Sequence, residues 1–160
     1  MIVIALILGL LLRLISLNQS FWLDEATSAT VVKTLSFGDI VNKFAPGDFH
    51  PPLYYFALKV WSLSFGVNEI WARLLSVLFG LCTVYLVYLI GKSLKSRTLG
   101  TIAAILIATA PLHVYYSQEA RMYSMETFLV SLAVYLFIKK RWIFFSIVLA
   151  LVGLTDYLPL

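Results

Sequence analysis

The sequence is short of charge. Of its 160 residues, 12% are Asp, Glu, Lys or Arg while 61% are hydrophobic, and the mean hydropathy is +0.93. Soluble globular domains carry roughly 25% charged residues, so this balance indicates an integral membrane protein rather than a water-soluble domain. Cysteine is nearly absent: Cys82 stands alone in an apolar run, which excludes a disulfide framework and thiolate metal sites. Histidine occurs twice, at His50 and His113, and no H-E-x-x-H or comparable ligand spacing is present. A glycine-rich phosphate loop is missing, so a soluble nucleotide-sugar donor is not indicated. The net charge of +4 comes without aromatic-basic interleaving on a polar surface, which excludes nucleic acid as a partner. Acids number only eight, and the first two, Asp24 and Glu25, stand side by side just beyond an apolar N-terminal run. A carboxylate next to the hydrocarbon region is expensive, which makes the pair a functional candidate.

What is abundant is long apolar runs. Met1 to Leu17 carries one charge, Arg13; it lacks a basic n-region and a small-x-small cleavage site, and is expected to be a retained first span. Four further runs follow, giving an all-α integral membrane fold with about five spans at 1–17, 74–91, 98–116, 122–138 and 142–160. Each approaches the roughly 20 residues that cross a bilayer core as a helix. Trp142, Tyr115, Tyr116 and Tyr123 sit where interfacial anchors belong. Pro52 to Phe65 is apolar and aromatic but short and interrupted by Lys59, which fits an interfacial helix. If it does not cross, the basic clusters Lys92–Arg97 and Lys139–Arg141 fall on the cytoplasmic side with the N-terminus, as the positive-inside rule requires. All eight acids then land on or near the outer face, and 18–73 forms one long external loop.

That loop is too long for a connector and too apolar for disorder. A helix is expected from Glu25 to about Leu35, then a short one capped by Ser36 and Asp39 that ends near Ala45-Pro46-Gly47. His50-Pro51-Pro52 forces an extended entry into an aromatic helix beginning at Leu53. These amphipathic juxtamembrane helices are expected to bring Asp24 and His50 to the membrane surface. Taken alone, Asp24 reads more readily as a helix N-cap than as a catalytic group, and His50 as a turn residue whose imidazole faces water; the two together favour a site. The next external loop holds Gln118, Glu119 and Arg121, more polar groups than a minimal turn needs. His113, inside the third span, is expected to be a hydrogen-bonded helix residue rather than a ligand.

Four segments carry a resemblance. In order they are Leu23-Asp24-Glu25-Ala26, Phe49-His50-Pro51-Pro52-Leu53-Tyr54-Tyr55, Ala72-Arg73-Leu74-Leu75-Ser76 and Tyr116-Ser117-Gln118-Glu119-Ala120-Arg121-Met122-Tyr123. Together they resemble the GT-C membrane glycosyltransferases, in particular the protein-mannosyltransferase-like group of family 39 with its Rgt-type and lipid A aminoarabinose transferase relatives. The resemblance implies transfer of a sugar from a polyprenyl-phosphate carrier to an acceptor hydroxyl of a protein, lipid or polysaccharide, at the outer face of the plasma or inner membrane. Relatives are often longer, so the chain is expected to match the N-terminal part of such an enzyme. Its last span also ends Thr155-Asp156-Tyr157, where relatives commonly carry a histidine in place of Asp156.

The resemblance maps the catalytic carboxylate onto Asp24, and the surroundings of the leaving phosphate onto His50 and Arg121. Glu25 is expected to orient the site, Lys59 and Arg73 to add donor contacts, and Glu119, Gln118, Tyr54 and Tyr123 to support them. A departing phosphate needs cationic stabilisation but no proton, so one general base suffices where glycosidases use two carboxyls. The expected outcome is inversion by direct displacement. No cofactor is required; a divalent cation is compatible with this chemistry, but the residue spacing does not indicate one. Two other readings use the same residues: a transporter or channel subunit with an external acidic vestibule, and an inactive fragment or partner of a larger transferase. The transporter would place charges at mid-span, whereas these acids lie near span ends.

Overall fold

In the computed structural model, residues 2–157 are described, and every regular element among them is helical. Met1 and residues 158–160, the outermost parts of the first and fifth expected spans, lie outside the described residues. The chain runs through α1 (Ile2–Arg13), α2 (Leu23–Thr34), α3 (Phe37–Asp39), α4 (Leu53–Phe65), α5 (Glu69–Leu94), α6 (Arg97–Thr109), α7 (Pro111–Ser117), α8 (Tyr123–Ile138) and α9 (Trp142–Gly153). Between α3 and α4 lie a π-helical turn, Ile40–Phe44, and a 3₁₀ turn, Ala45–Gly47.

The central helix is α5, which packs against α1, α4, α6, α7 and α8. Its 26 residues give it about 39 Å at 1.5 Å per residue, enough to cross a bilayer. It starts at Glu69, before the expected span boundary at residue 74, because the Asn68 side chain accepts from the Trp71 amide at 2.9 Å and caps the helix early. Arg73 therefore sits inside a helix rather than in a loop. At the other end α5 turns tightly into α6, and the two helices cross at Gly91 and Gly100. A Cβ on Gly91 would come within 2.7 Å of the Gly100 Cα, so only glycine permits this approach.

The third expected span, 98–116, is not one helix. It breaks by 62° between α6 and α7. Pro111 has no amide proton to continue the ladder, and Ala110 before it is extended at φ −62° and ψ 120°. The bend is filled by Arg13, fully buried, which donates to the Ala108 and Gly9 carbonyls at 2.9 Å and pairs with His113 Nδ1. His113 is thus a hydrogen-bonded helix residue, as its position in the sequence suggested.

Among the described residues, by length and composition, α5 alone is long and apolar enough to span, joined by the bent α6–α7 pair if that pair is taken as one crossing. The shorter apolar helices α1, α8 and α9 have 12, 16 and 12 residues. The fifth expected span is shorter as a helix than its apolar run, because α9 ends at Gly153 and Asp156 lies beyond it. Outward faces are strongly apolar: Ile4, Leu11, Ile143 and Phe144 are all more than half exposed. Such all-helical, apolar-surfaced architecture is that of a membrane protein, in which lipid rather than water meets these side chains.

The segment between α1 and α5 folds much as its punctuation suggested. The Ser36 hydroxyl accepts from the Asp39 amide at 3.1 Å and donates to the Asp39 carboxylate at 2.7 Å. The aromatic helix begins at Leu53, and its buried Tyr54, Tyr55 and Leu58 form one core with Val32 of α2, Leu75 of α5 and Leu129 of α8.

Candidate active site

Asp24 and Glu25 occupy the first turn of α2, where carboxylates complement the helix dipole. Trp22 holds the N-cap position, so the reading of Asp24 as a cap does not apply. Neighbouring positions on a helix with 3.6 residues per turn diverge by about 100°, and the two acids accordingly face different partners.

Glu25 is fully buried. Its carboxylate takes the Arg73 guanidinium in a fork, with Nε at 2.9 Å and Nη2 at 2.6 Å, and also accepts from the Ala120 amide at 2.7 Å and the Trp22 amide at 3.3 Å. The remaining Arg73 donors reach the carbonyls of Leu17 and Gln19 at 2.8 and 2.6 Å, and that of Ser20 at 3.3 Å. All five guanidinium N–H groups are thereby engaged, the full inventory of that side chain. Arg73 consequently has no donor left for a phosphate. The donor contact expected of it gives way to a structural one, tying the end of α1, the start of α2 and the 118–121 loop to α5.

Arg121 is the opposite case. It is 5% exposed, with contacts to Asp24 Oδ2 at 3.9 Å, the Asp24 carbonyl at 3.5 Å and Ser28 Oγ at 3.4 Å, and with the Tyr55 and Tyr123 hydroxyls beside it. Its Nε is buried without a hydrogen-bond partner among the described residues. The Tyr123 ring lies beneath, 6.0 Å from the guanidinium carbon. A buried cation held this loosely carries unused donors, which a bound anion would satisfy. Asp24 beside it remains 42% exposed and open to a substrate.

Tyr55 extends the group. Its hydroxyl lies next to the Arg121 guanidinium and donates to Asp48 Oδ2 at 2.6 Å. Burial, with that hydrogen bond, pushes the phenol well above its ordinary value and keeps it a donor. Tyr54 is wholly buried, edge-on to Tyr55, and belongs to the core under the site.

His50 follows two residues after Asp48. Its Nδ1 is 3.6 Å from Asp156 Oδ2, beyond the end of α9, and the Leu53 amide donates to the Leu154 carbonyl at 3.1 Å. The His-Pro-Pro segment is thus docked on the end of α9 rather than on Asp24. Lys59 Nζ donates to the Val32 carbonyl at 2.9 Å and joins α4 to α2. Gln118 caps the end of α1, its amide donating to the Leu12 and Ile15 carbonyls at 3.0 and 2.8 Å. Glu119 is buried, and burial raises its carboxyl above the usual range. No group of three or more His, Cys, Asp or Glu side chains converges on a metal position among the described residues.

Of the residues singled out in the sequence, the structure brings Asp24, Arg121 and Tyr123 together. It pairs Glu25 with Arg73 and sets Gln118 and Lys59 into the scaffold. Sequence reasoning passed over Tyr55 and gave Asp156 no role. Tyr55 stood in the quoted Leu53-Tyr54-Tyr55 segment, and the partner of Asp156 is 106 positions away.

No solved structure matches the chain. An uncharacterized protein of Aquifex aeolicus (strain VF5) is 27% identical over 144 residues, covering 83% of this chain and 28% of its own length. The chain therefore spans little more than a quarter of that relative. A profile of the dolichyl-phosphate-mannose-protein mannosyltransferase family matches residues 49–156, which include His50, Arg73, Arg121 and Asp156 and begin after Asp24. With more than half of its length matched in this way, the chain belongs to the dolichyl-phosphate-mannose-protein mannosyltransferase family.

Proposed function

We propose that the chain forms part of a GT-C type glycosyltransferase that moves a sugar from a polyprenyl-phosphate carrier to an acceptor hydroxyl at the outer face of the cell membrane. The observation that carries this reading is the pairing of a half-exposed Asp24 with a buried, under-satisfied Arg121. Asp24 takes the proton of the acceptor hydroxyl as its oxygen attacks the anomeric carbon from the face opposite the leaving group. The bond from that carbon to the phosphate oxygen breaks, its electron pair stays on the phosphate, and the configuration inverts. Arg121 stabilises the departing anion through its loosely held donors, while Tyr55, donating to Asp48, holds its oxygen beside the guanidinium. His50 approaches the phosphate from the α9 side. Glu25 and Arg73 keep the start of α2 in place, so that Asp24 is presented rather than buried.

In the bilayer, five crossings account for the alternation of basic and acidic ends. The short helices α1, α8 and α9 reach the interfaces through flanking residues, with Trp142 as one anchor. Replacing Asp24 by Asn in the full-length protein tests the assignment. Transfer of radiolabelled sugar from its polyprenyl phosphate is expected to fall by about 10²–10⁴ with donor binding retained. Substantial residual turnover would remove Asp24 from the base role.

A further inference from the structure

A cavity of about 330 Å³ lies beyond the C-terminal end of α1, lined by neither Asp24 nor Arg121. Gln19, Ser20, Trp22, Tyr115, Gln118 and Glu119 line it, and the Glu25–Arg73 pair forms its floor. Its size is at the lower end of the range for small-ligand sites, roughly 300–1,000 Å³.

The chemistry of this cavity differs from that around Arg121. Arg73, its only cation, has every donor engaged, and its charge is cancelled by Glu25. What remains is the Glu119 carboxyl, so a phosphate would meet one like charge and no free cation. Neutral hydrogen-bonding groups, by contrast, are plentiful. The Gln19 side chain and the Ser20 hydroxyl make no hydrogen bond within the described protein, and Gln118 has only its N–H groups engaged. Trp22, 45% exposed, adds a flat apolar wall. A membrane-interface belt would account for Trp22 and Tyr115, but not for a buried carboxyl between them or for uncommitted amide and hydroxyl groups. The Glu119 carboxyl, raised by burial, is hydrogen-bonded to the Tyr115 side chain and keeps further acceptor capacity for a ligand hydroxyl.

We infer that this cavity binds a neutral sugar unit of the acceptor, so that the acceptor is a carbohydrate chain rather than a bare peptide. A ring with several hydroxyls and an apolar face fits dispersed donors and acceptors beside an indole. The unit is not the one being transferred, because Asp24 does not line the cavity and the Glu25–Arg73 pair does. The inference rests on the reading of Asp24 and Arg121 as the reacting centre.

The test uses the full-length protein in lipid nanodiscs, with mannobiose, cellobiose and lactose as probes. In the Asp24→Asn background, at least one disaccharide is expected to quench tryptophan emission saturably. The response should disappear in Trp22→Phe and weaken about tenfold in Glu119→Gln or Gln19→Ala, while inorganic phosphate does not compete. With Asp24 intact, the same Glu119 and Gln19 variants should raise KM for the bound disaccharide as acceptor about tenfold and leave the donor KM unmoved. Absence of saturable binding by all three, competition by phosphate, or a rise in the donor KM overturns the inference. A flat response combined with loss of transfer in Asp24→Asn defeats this inference alone; full transfer by Asp24→Asn defeats the reading beneath it.

Discussion

Arg73 and Arg121 are both about 5% exposed and both face an acid of the same pair, yet the same conservative change should affect them in opposite ways. Arg73 makes five hydrogen bonds, at 2.6, 2.6, 2.8, 2.9 and 3.3 Å. A lysine in its place has three donors and no fork, so at least two of the five buried or part-buried acceptors lose their partner. At about 1–3 kcal/mol for each unsatisfied group, Arg73→Lys should destabilise the fold by about 2–6 kcal/mol. The middle of that range is a hundredfold or more in the folded-to-unfolded ratio. Arg121, whose contacts lie at 3.4, 3.5 and 3.9 Å, has little to lose by the same exchange, about 1 kcal/mol or less. Its loss should appear in turnover instead, about 10²–10³-fold, as expected when one donor to a developing anion is removed. The measurement is paired: the melting temperature of each variant in one detergent, and sugar transfer by whatever fraction stays folded. A stable Arg73→Lys protein, or an Arg121→Lys protein that melts early with normal specific activity, would refute the division between scaffold and site.

Two other outcomes follow from packing and from charge. Gly100→Ala places a methyl group against the α5 backbone near Tyr88 and Lys92, and should cost about 1–3 kcal/mol, read as early melting; Gly38→Ala, which meets only the Ser36 hydroxyl at 3.8 Å, should not. Asp156→Asn removes the carboxylate from His50 Nδ1, a contact of 3.6 Å that tightens only slightly to become a hydrogen bond. The ¹⁵N resonance of that ring nitrogen should move, and transfer should slow by about tenfold without loss of fold. An unmoved resonance would mean that Asp156 does not hold His50.

Much of this fold could be read from the chain because its signals are local. Asn68 and Ser96 cap the helices that follow them, Ser36 and Asp39 close a short turn, and Pro51-Pro52 delays the next helix until Leu53. Pro111 was equally visible, but an uncharged run from Thr98 to Tyr116 resembles a single span until backbone hydrogen bonding is weighed against hydropathy. Apolar length also overstated α9, since the described residues beyond Gly153, Leu154 to Tyr157, are not helical. The site was legible as an inventory and not as an arrangement. Two adjacent acids in sequence carry no sign of which one a helix turns inward. That choice depends on Arg73, 48 positions from Glu25, and on the Ala120 amide, 95 positions away. The two arginines were equally opaque, since each was simply a cation beside an apolar run. Only the count of occupied donors separates them, and the proposed reacting centre uses the less satisfied one. Among the buried polar atoms without a hydrogen bond in the described residues are two near the candidate site, Arg121 Nε and His50 Nδ1. An anionic ligand between the two would satisfy Arg121 directly and draw His50 onto Asp156. On the proposed reading, the donor phosphate completes the site rather than merely visiting it.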